Sequence, residues 1–136
     1  MRSTLVDSGP LIALFDGSDR HHARVKAFLK GFKNLLMTTW PVITEVCHLL
    51  DFNTDCQLDF LRWVQRGAIT IVDLNLVALE QMIALIEKYR DRPMDLADAS
   101  LVVLAHTNDM RHIASIDSDF DIYRLPDGGR LKNLLR

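Results

Sequence analysis

Short apolar runs alternate with amphipathic stretches along the whole chain, and that alternation sets the expected elements. Thr4-Leu5-Val6 reads as a first strand, closed by Asp7 and Gly9-Pro10. Pro10 through Phe15 predicts a helix opened by a proline, whose missing N–H has no partner in a first turn anyway. Asp19 precedes a second helix. In it Val25, Phe28, Leu29 and Phe32 recur at helical spacing, while Arg24, Lys26, Lys30 and Lys33 take the other face. Leu35-Leu36-Met37-Thr38 is a second strand, and Pro41 opens a helix carrying Val42, Ile43, Val46, Leu49 and Leu50. A further helix runs through Leu58, Leu61, Trp63 and Val64 to a stop near Gly67. Ala68-Ile69-Thr70-Ile71-Val72, rich in β-branched residues, is the clearest strand. Leu79, Met82, Ile83, Ile86 and Tyr89 mark a long helix, and Pro93 and Asp95 introduce another, from Leu96 to His106. Arg111 to Ile116 is a fourth strand ending at Asp117, and the weakly patterned tail from about Arg124 is the place for a short fifth.

Strands separated by helical crossovers predict an α/β fold of three layers. A mainly parallel central sheet of four to five strands carries helices on both faces. The 136 residues fit one domain, 1–136. In such a sheet a ligand site lies beyond the carboxyl ends of the strands.

Composition narrows the setting. With 49% apolar and 25% charged residues the chain reads as a soluble globular protein rather than a disordered one. No apolar run approaches the roughly 20 residues that cross a bilayer, and Asp7 and Gly9-Pro10 interrupt what an export signal would need. Cys47 and Cys56 form no CxxC pair, so reduced thiols, and with them a cytoplasmic setting, are expected. A net charge of −2 supplies no overall basic surface for nucleic acid.

The acids change the picture more. Fifteen of the eighteen are Asp, a residue that suits caps, turns and hard-cation ligation better than helix interiors. Asp7 follows the first strand, and Asp117 and Asp119 follow the fourth. Glu45 comes about one turn into the helix after the second strand, and Asp95 and Asp98 share the start of a later helix. Carboxylates gathered at one sheet edge repel one another unless a cation neutralises them. Mg²⁺, held by carboxylates and water, does so and can activate water against a phosphodiester. Each acid also has a plainer role. Asp7 and Asp95 suit helix N-caps, and Asp95 is read as a cap. Glu45 suits a dipole-stabilising surface position, Asp117-Ser118-Asp119 an Asx turn, and Asp98 a solvent-facing site.

Four short segments, in order, resemble the PIN-domain family, in particular the small VapC-type toxins of toxin–antitoxin pairs. They are Leu5-Val6-Asp7-Ser8, Ile43-Thr44-Glu45-Val46, Asp98-Ala99-Ser100-Leu101-Val102 and Ser115-Ile116-Asp117-Ser118-Asp119-Phe120. The resemblance runs from Thr4 to about Tyr123. The resemblance implies a metal-dependent endoribonuclease, usually a homodimer. Asp7, Glu45, Asp98 and Asp117 would be its acidic quartet around Mg²⁺ or Mn²⁺, Asp119 an accessory ligand, and Ser8 and Ser115 residues that orient carboxylates or water. It also implies an antitoxin whose C-terminal segment blocks the acidic groove. Gly9-Pro10 departs from the polar residue commoner there.

Arg20, Arg24, Arg92 and Arg111 are candidate contacts to RNA phosphates, against a solvated surface as the plainer reading. His21-His22 are read as surface, His112 as strand-end packing, and Trp40 and Trp63 as core or dimer interface. Two other functions compete. A phosphoacceptor receiver domain would use Asp73, which follows the third strand, but Asp7 lacks the paired acid such a domain needs. A PIN-like module that has lost catalysis would bind RNA without cutting it.

Overall fold

The computed structural model describes residues 3–92 and 94–135. Its elements run β1 (Ser3–Val6), α1 (Ser8–Phe15), α2 (His22–Gly31), β2 (Leu35–Thr38), α3 (Trp40–Leu49), α4 (Thr54–Gln65), β3 (Thr70–Ile71), α5 (Leu76–Lys88), α6 (Leu96–Thr107), β4 (His112–Ala114), α7 (Asp119–Ile122) and β5 (Lys132–Asn133). The five strands form one sheet in the order β3-β2-β1-β4-β5, and every pairing is parallel. The expected α/β architecture is therefore present.

Central β1 shows why the sheet must be covered twice. Successive strand residues point to opposite faces, yet Thr4, Leu5 and Val6 are all fully buried. Helix α6 is buried nearly all round, from Ala99 through Ala105, as a helix in the middle of a core must be. Leu101 in that helix is fully buried. Leu101→Ala is expected to cost about 3 kcal/mol, through lost apolar transfer and the cavity left behind; denaturant unfolding checks it. No helix among the described residues is long and apolar enough to cross a membrane. Both cysteines are free thiols.

Two expected strand lengths need correcting. The strand expected at 68–72 shrinks to Thr70–Ile71, because at the sheet edge the register pairs are Met37↔Thr70 and Thr38↔Ile71, with one further bond from Val72 N to Thr38 O at 2.9 Å. Ile69 is buried without being in the ladder, so the β-branched run there reflects burial rather than pairing. The fourth strand stops at Ala114, which pairs with Val6 at the end of β1, and Ser115 and Ile116 lie beyond it. The short fifth strand does form in the tail, at Lys132–Asn133, whereas the short helix α7 was not expected. Helix α1 begins at Ser8, two residues before the expected Pro10, which sits inside its first turn, and α4 gives way as expected to Gly67, whose φ of +92° suits glycine. Pro93 lies outside the described residues.

Strand order also fixes where a site belongs. From β1 the chain moves outward through β2 to β3, then returns past β1 to β4 and β5. The switch point lies between the carboxyl ends of β1 and β4, where parallel α/β sheets open a crevice. Asp7 follows β1 there, and Ser115 to Asp119 follow β4.

Candidate metal centre

A cleft of about 450 Å³ opens at that switch point. Its walls include Asp7, Glu45, Asp98, Asp117 and Asp119, so the structure brings all five predicted ligands to one place. Ser8 and Asp95 line it too.

Each acid is held by a local device. Asp7 is the N-cap of α1, its Oδ1 accepting from Ser8 N at 2.8 Å, so capping and a place in the cleft coincide. Its Oδ2 accepts from the Ser115 hydroxyl at 3.0 Å, and only 6% of the residue is exposed. Glu45 projects from α3, and the Ser8 hydroxyl donates to its Oε1 at 2.6 Å. Asp98 lies in the first turn of α6, where Asp95 is the N-cap and accepts from Asp98 N at 2.8 Å. The Asp95 cap expectation is met. Asp98 Oδ2 accepts from the Tyr123 hydroxyl at 3.3 Å. Asp117 accepts from Asp119 N at 3.0 Å, an Asx turn that leaves its carboxylate exposed at the cleft. Asp117 N donates to Ser115 Oγ at 3.1 Å, so Ser115 touches two of the acids.

Electrostatics mark the cleft as under-neutralised. Burial pushes the Asp7 carboxyl up to about 6, against bonds from Ser8 and Ser115 that lower it, and the charges of Glu45 and Asp117 raise it further. Asp98 is pushed up to about 8, by burial first and then by the charges of Asp7 and Asp95. Asp119 is also raised, by burial and then by Asp117, against the Arg92 guanidinium at 3.0 Å. Tyr123 is raised by burial and by Asp98.

Asp95→Ser is expected to keep the cap, since serine caps as well as aspartate, while removing one charge beside Asp98. The Asp98 carboxyl should then titrate lower with thermal stability kept, as carboxyl NMR and melting would show.

Among the described residues no three His, Cys, Asp or Glu side chains close up into a ready ion cage. The acids stand on separate elements, each drawn to its own hydroxyl: Asp7 to Ser115, Glu45 to Ser8 and Asp98 to Tyr123. The donor set nonetheless fits a hard divalent cation. It is all oxygen, and a cation would offset both the burial and, after it, the neighbouring negative charges that raise the Asp7 and Asp98 carboxyls.

The four candidate arginines do not line the cleft. Arg92 reaches its rim through Asp119, Arg20 donates to His21, and Arg24 is exposed on α2. Arg111 corrects the reading most: it precedes β4 at the amino-terminal end of the sheet, opposite the acids, and pairs with Asp127 at 2.8 Å and Asp109 at 3.5 Å. His22 bonds Ala13 O at 2.7 Å, and His112 lies within β4. Trp40 is not core. It is 53% exposed and lines a neighbouring groove of about 600 Å³ that shares Glu45 and Asp95 with the cleft.

Asp73 does not sit where a phosphoacceptor would. Receiver-like sheets run 2-1-3-4-5 with the third strand central, whereas β3 here is an edge, and Asp73 accepts from Trp40 Nε1 at 3.0 Å. Sequence reasoning missed Tyr123 and Asn133, whose amide holds the Ser115 backbone. Nothing near Tyr123 in the sequence signals its contact with Asp98, 25 residues away. An asparagine in a strand, where that residue is depleted, was a readable hint at Asn133.

Comparisons with known proteins bear on the family and the fold. The PIN domain profile matches residues 4–125. The chain is 30% identical over 129 residues to Ribonuclease VapC26 of Mycobacterium tuberculosis, covering 93% of this chain and 96% of that protein. Its fold is similar to the crystal structure of Mycobacterium tuberculosis VapC20, a Sarcin-Ricin loop cleaving toxin. The TM-score is 0.81 at 16% identity, over 88% of this chain and 93% of that one. A toxin-antitoxin complex from Klebsiella pneumoniae matches with a TM-score of 0.60 at 20% identity, over 85% of this chain and 87% of that one. The chain belongs to the PIN-domain family.

Proposed function

We propose that this chain is a Mg²⁺- or Mn²⁺-dependent endoribonuclease and the toxin of a toxin–antitoxin pair. The observation that carries the reading is the convergence of Asp7, Glu45, Asp98 and Asp117, with Asp119 beside them, in one cleft at the switch point. Kinship to a VapC ribonuclease over nearly the full length supports it.

In this reading Asp7, Glu45, Asp98 and Asp117 hold the ion, with Asp119 as accessory ligand. When bound, the ion supplies an activated water and neutralises charge on the leaving oxygen of a phosphodiester. The chain's own residues do the rest. Ser115 fixes the Asp7 carboxylate, Ser8 fixes Glu45, and the Tyr123 hydroxyl orients Asp98. Arg92, tied to Asp119, stands at the rim where a flanking phosphate would approach. An antitoxin segment carrying a basic side chain into the acidic cleft would block it. Leu76, Val77 and Ile83 leave apolar surface on α5, which a second copy of the chain would cover in a homodimer.

The test is cleavage of end-labelled structured RNAs by purified protein with Mn²⁺, Mg²⁺ or EDTA, beside Asp7→Asn. Cutting that requires metal, leaves 5′-phosphate and 3′-hydroxyl ends and disappears in the variant supports the nuclease. Cutting that survives the substitution contradicts the assigned site. Metal-bound protein that retains RNA without cutting any of a broad panel favours the binding module.

A further inference from the structure

The peptide that follows β4 is held by a side chain from the far end of the sequence. Main-chain bonds join β5 to β4 from Lys132 N to Arg111 O at 2.7 Å and from Leu134 N to Ile113 O at 2.8 Å. One step nearer the cleft, the Asn133 side chain continues the ladder. Its Oδ1 accepts from Ser115 N at 3.1 Å and its Nδ2 donates to Ser115 O at 2.9 Å. The amide thus imitates a peptide group of a neighbouring strand. Its orientation is fixed by a third bond, because the same Oδ1 accepts from Leu135 N at 3.1 Å. Ser115 is fully buried and Asn133 is 9% exposed, so water is poorly placed to replace these bonds.

The other side of Ser115 faces the acids. Its hydroxyl donates to Asp7 Oδ2 at 3.0 Å and accepts from Asp117 N at 3.1 Å. A residue clamped at both its N–H and its C=O has its side-chain direction set by the clamp. Partners of this kind, one step removed from an ion, orient the ligands and tune affinity.

We propose that Asn133 is a positioning residue of the candidate metal centre, holding Ser115 so that its hydroxyl orients Asp7 and anchors the Asp117 turn. The proposal rests on the metal-dependent reading above. It extends the machinery of the site to β5, beyond residue 125, where the PIN match ends. The role asks for an amide. Aspartate would keep an acceptor for Ser115 N but lose the donor to Ser115 O, and it would set a further negative charge behind the acids.

The experiment uses the full chain with Mn²⁺ as the probe. Dissociation constants come from calorimetry on the unsubstituted protein, Asn133→Ala, Ser115→Ala and the double variant, with thermal unfolding in EDTA alongside. Each single substitution is expected to weaken Mn²⁺ binding about 10-fold. The double variant should bind within about twofold of the weaker single one, since the two residues act in series. An Asn133→Ala protein that melts lower yet binds Mn²⁺ within about twofold of the unsubstituted chain overturns the proposal, as do losses that multiply in the double variant. A second measurement needs no variant to fold. During a Mg²⁺ titration of the unsubstituted chain, the Asn133 side-chain amide resonances should shift in step with those of Ser8. An unmoved Asn133 amide overturns the proposal. If the unsubstituted chain binds neither ion, the metal reading itself fails and takes the positioning role with it. That result differs from failure of the positioning role alone, in which the chain binds but ignores Asn133.

Discussion

Asp98→Asn is expected to lower RNA cleavage by more than about 100-fold and, at the same time, to stabilise the metal-free protein. The two effects have one cause. Asp98 sits in the first turn of α6, half-buried, and that burial first, then the charges of Asp7 and Asp95, pushes its carboxyl up to about 8 from 3.8. Between those two values the folded protein holds a proton that the unfolded chain releases, so stability falls as pH rises through this window. Above about 8 the full penalty of the charged carboxylate is present, and below 3.8 it is gone. Asparagine keeps the shape without the charge. Solvent screens part of the interaction at a half-buried position, so the gain near pH 8 should be about 2 kcal/mol. It should shrink toward zero near pH 4. Urea unfolding of both proteins in EDTA across that range checks it. A gain independent of pH, or a loss of stability at every pH, makes Asp98 a structural residue instead.

Saturation with Mg²⁺ gives the second large effect. A ligand that binds only the folded state, at about 100 times its dissociation constant, stabilises by about 2.7 kcal/mol. For a chain of this length the melting point should rise by roughly 8 °C. Asp7→Asn is expected to remove most of that rise with little change to the fold, because asparagine caps α1 as aspartate does through the bond from Ser8 N. Asp95→Ser should retain most of it, since Asp95 acts as the cap of α6. Equal rises in the Asp7→Asn and unsubstituted proteins contradict the assignment of Asp7 as a ligand.

How far the sequence went depended on the range of the interactions involved. The helices were legible because their apolar positions recur locally, as in Val42, Ile43 and Val46 of α3 or Met82 and Ile86 of α5. Strand lengths were not, because pairing partners set them. Ala68 to Val72 has the composition of a long strand, yet only Thr70 and Ile71 pair in register with β2, and Val72 adds a single bond, from its N–H to Thr38 O at 2.9 Å. The rule that sites in parallel sheets lie beyond strand ends drew attention to Asp7, Asp117 and Asp119, the family resemblance supplied the ligand set with Glu45 and Asp98, and the structure gathers all five in one cleft. The plainer readings of Asp7 as a cap and of Asp117 as a turn residue are also right, since those local bonds aim the carboxylates. What the sequence concealed was the support around them. Ser115 to Asn133 and Asp98 to Tyr123 are long-range contacts with no period. Surface charge misled too: Arg111 looks free in the sequence but is spent on Asp109 and Asp127 at the opposite edge.

The central claim is that these acids together hold a divalent cation, and locating the ion tests it most directly. Crystals equilibrated with Mn²⁺ should give an anomalous scattering peak in the cleft, in contact with Asp7 and at least one of Glu45, Asp98 and Asp117, and the peak should be lost in Asp7→Asn. A cleft without a peak at a Mn²⁺ concentration that supports RNA cleavage would contradict the account, as would a peak held by other residues.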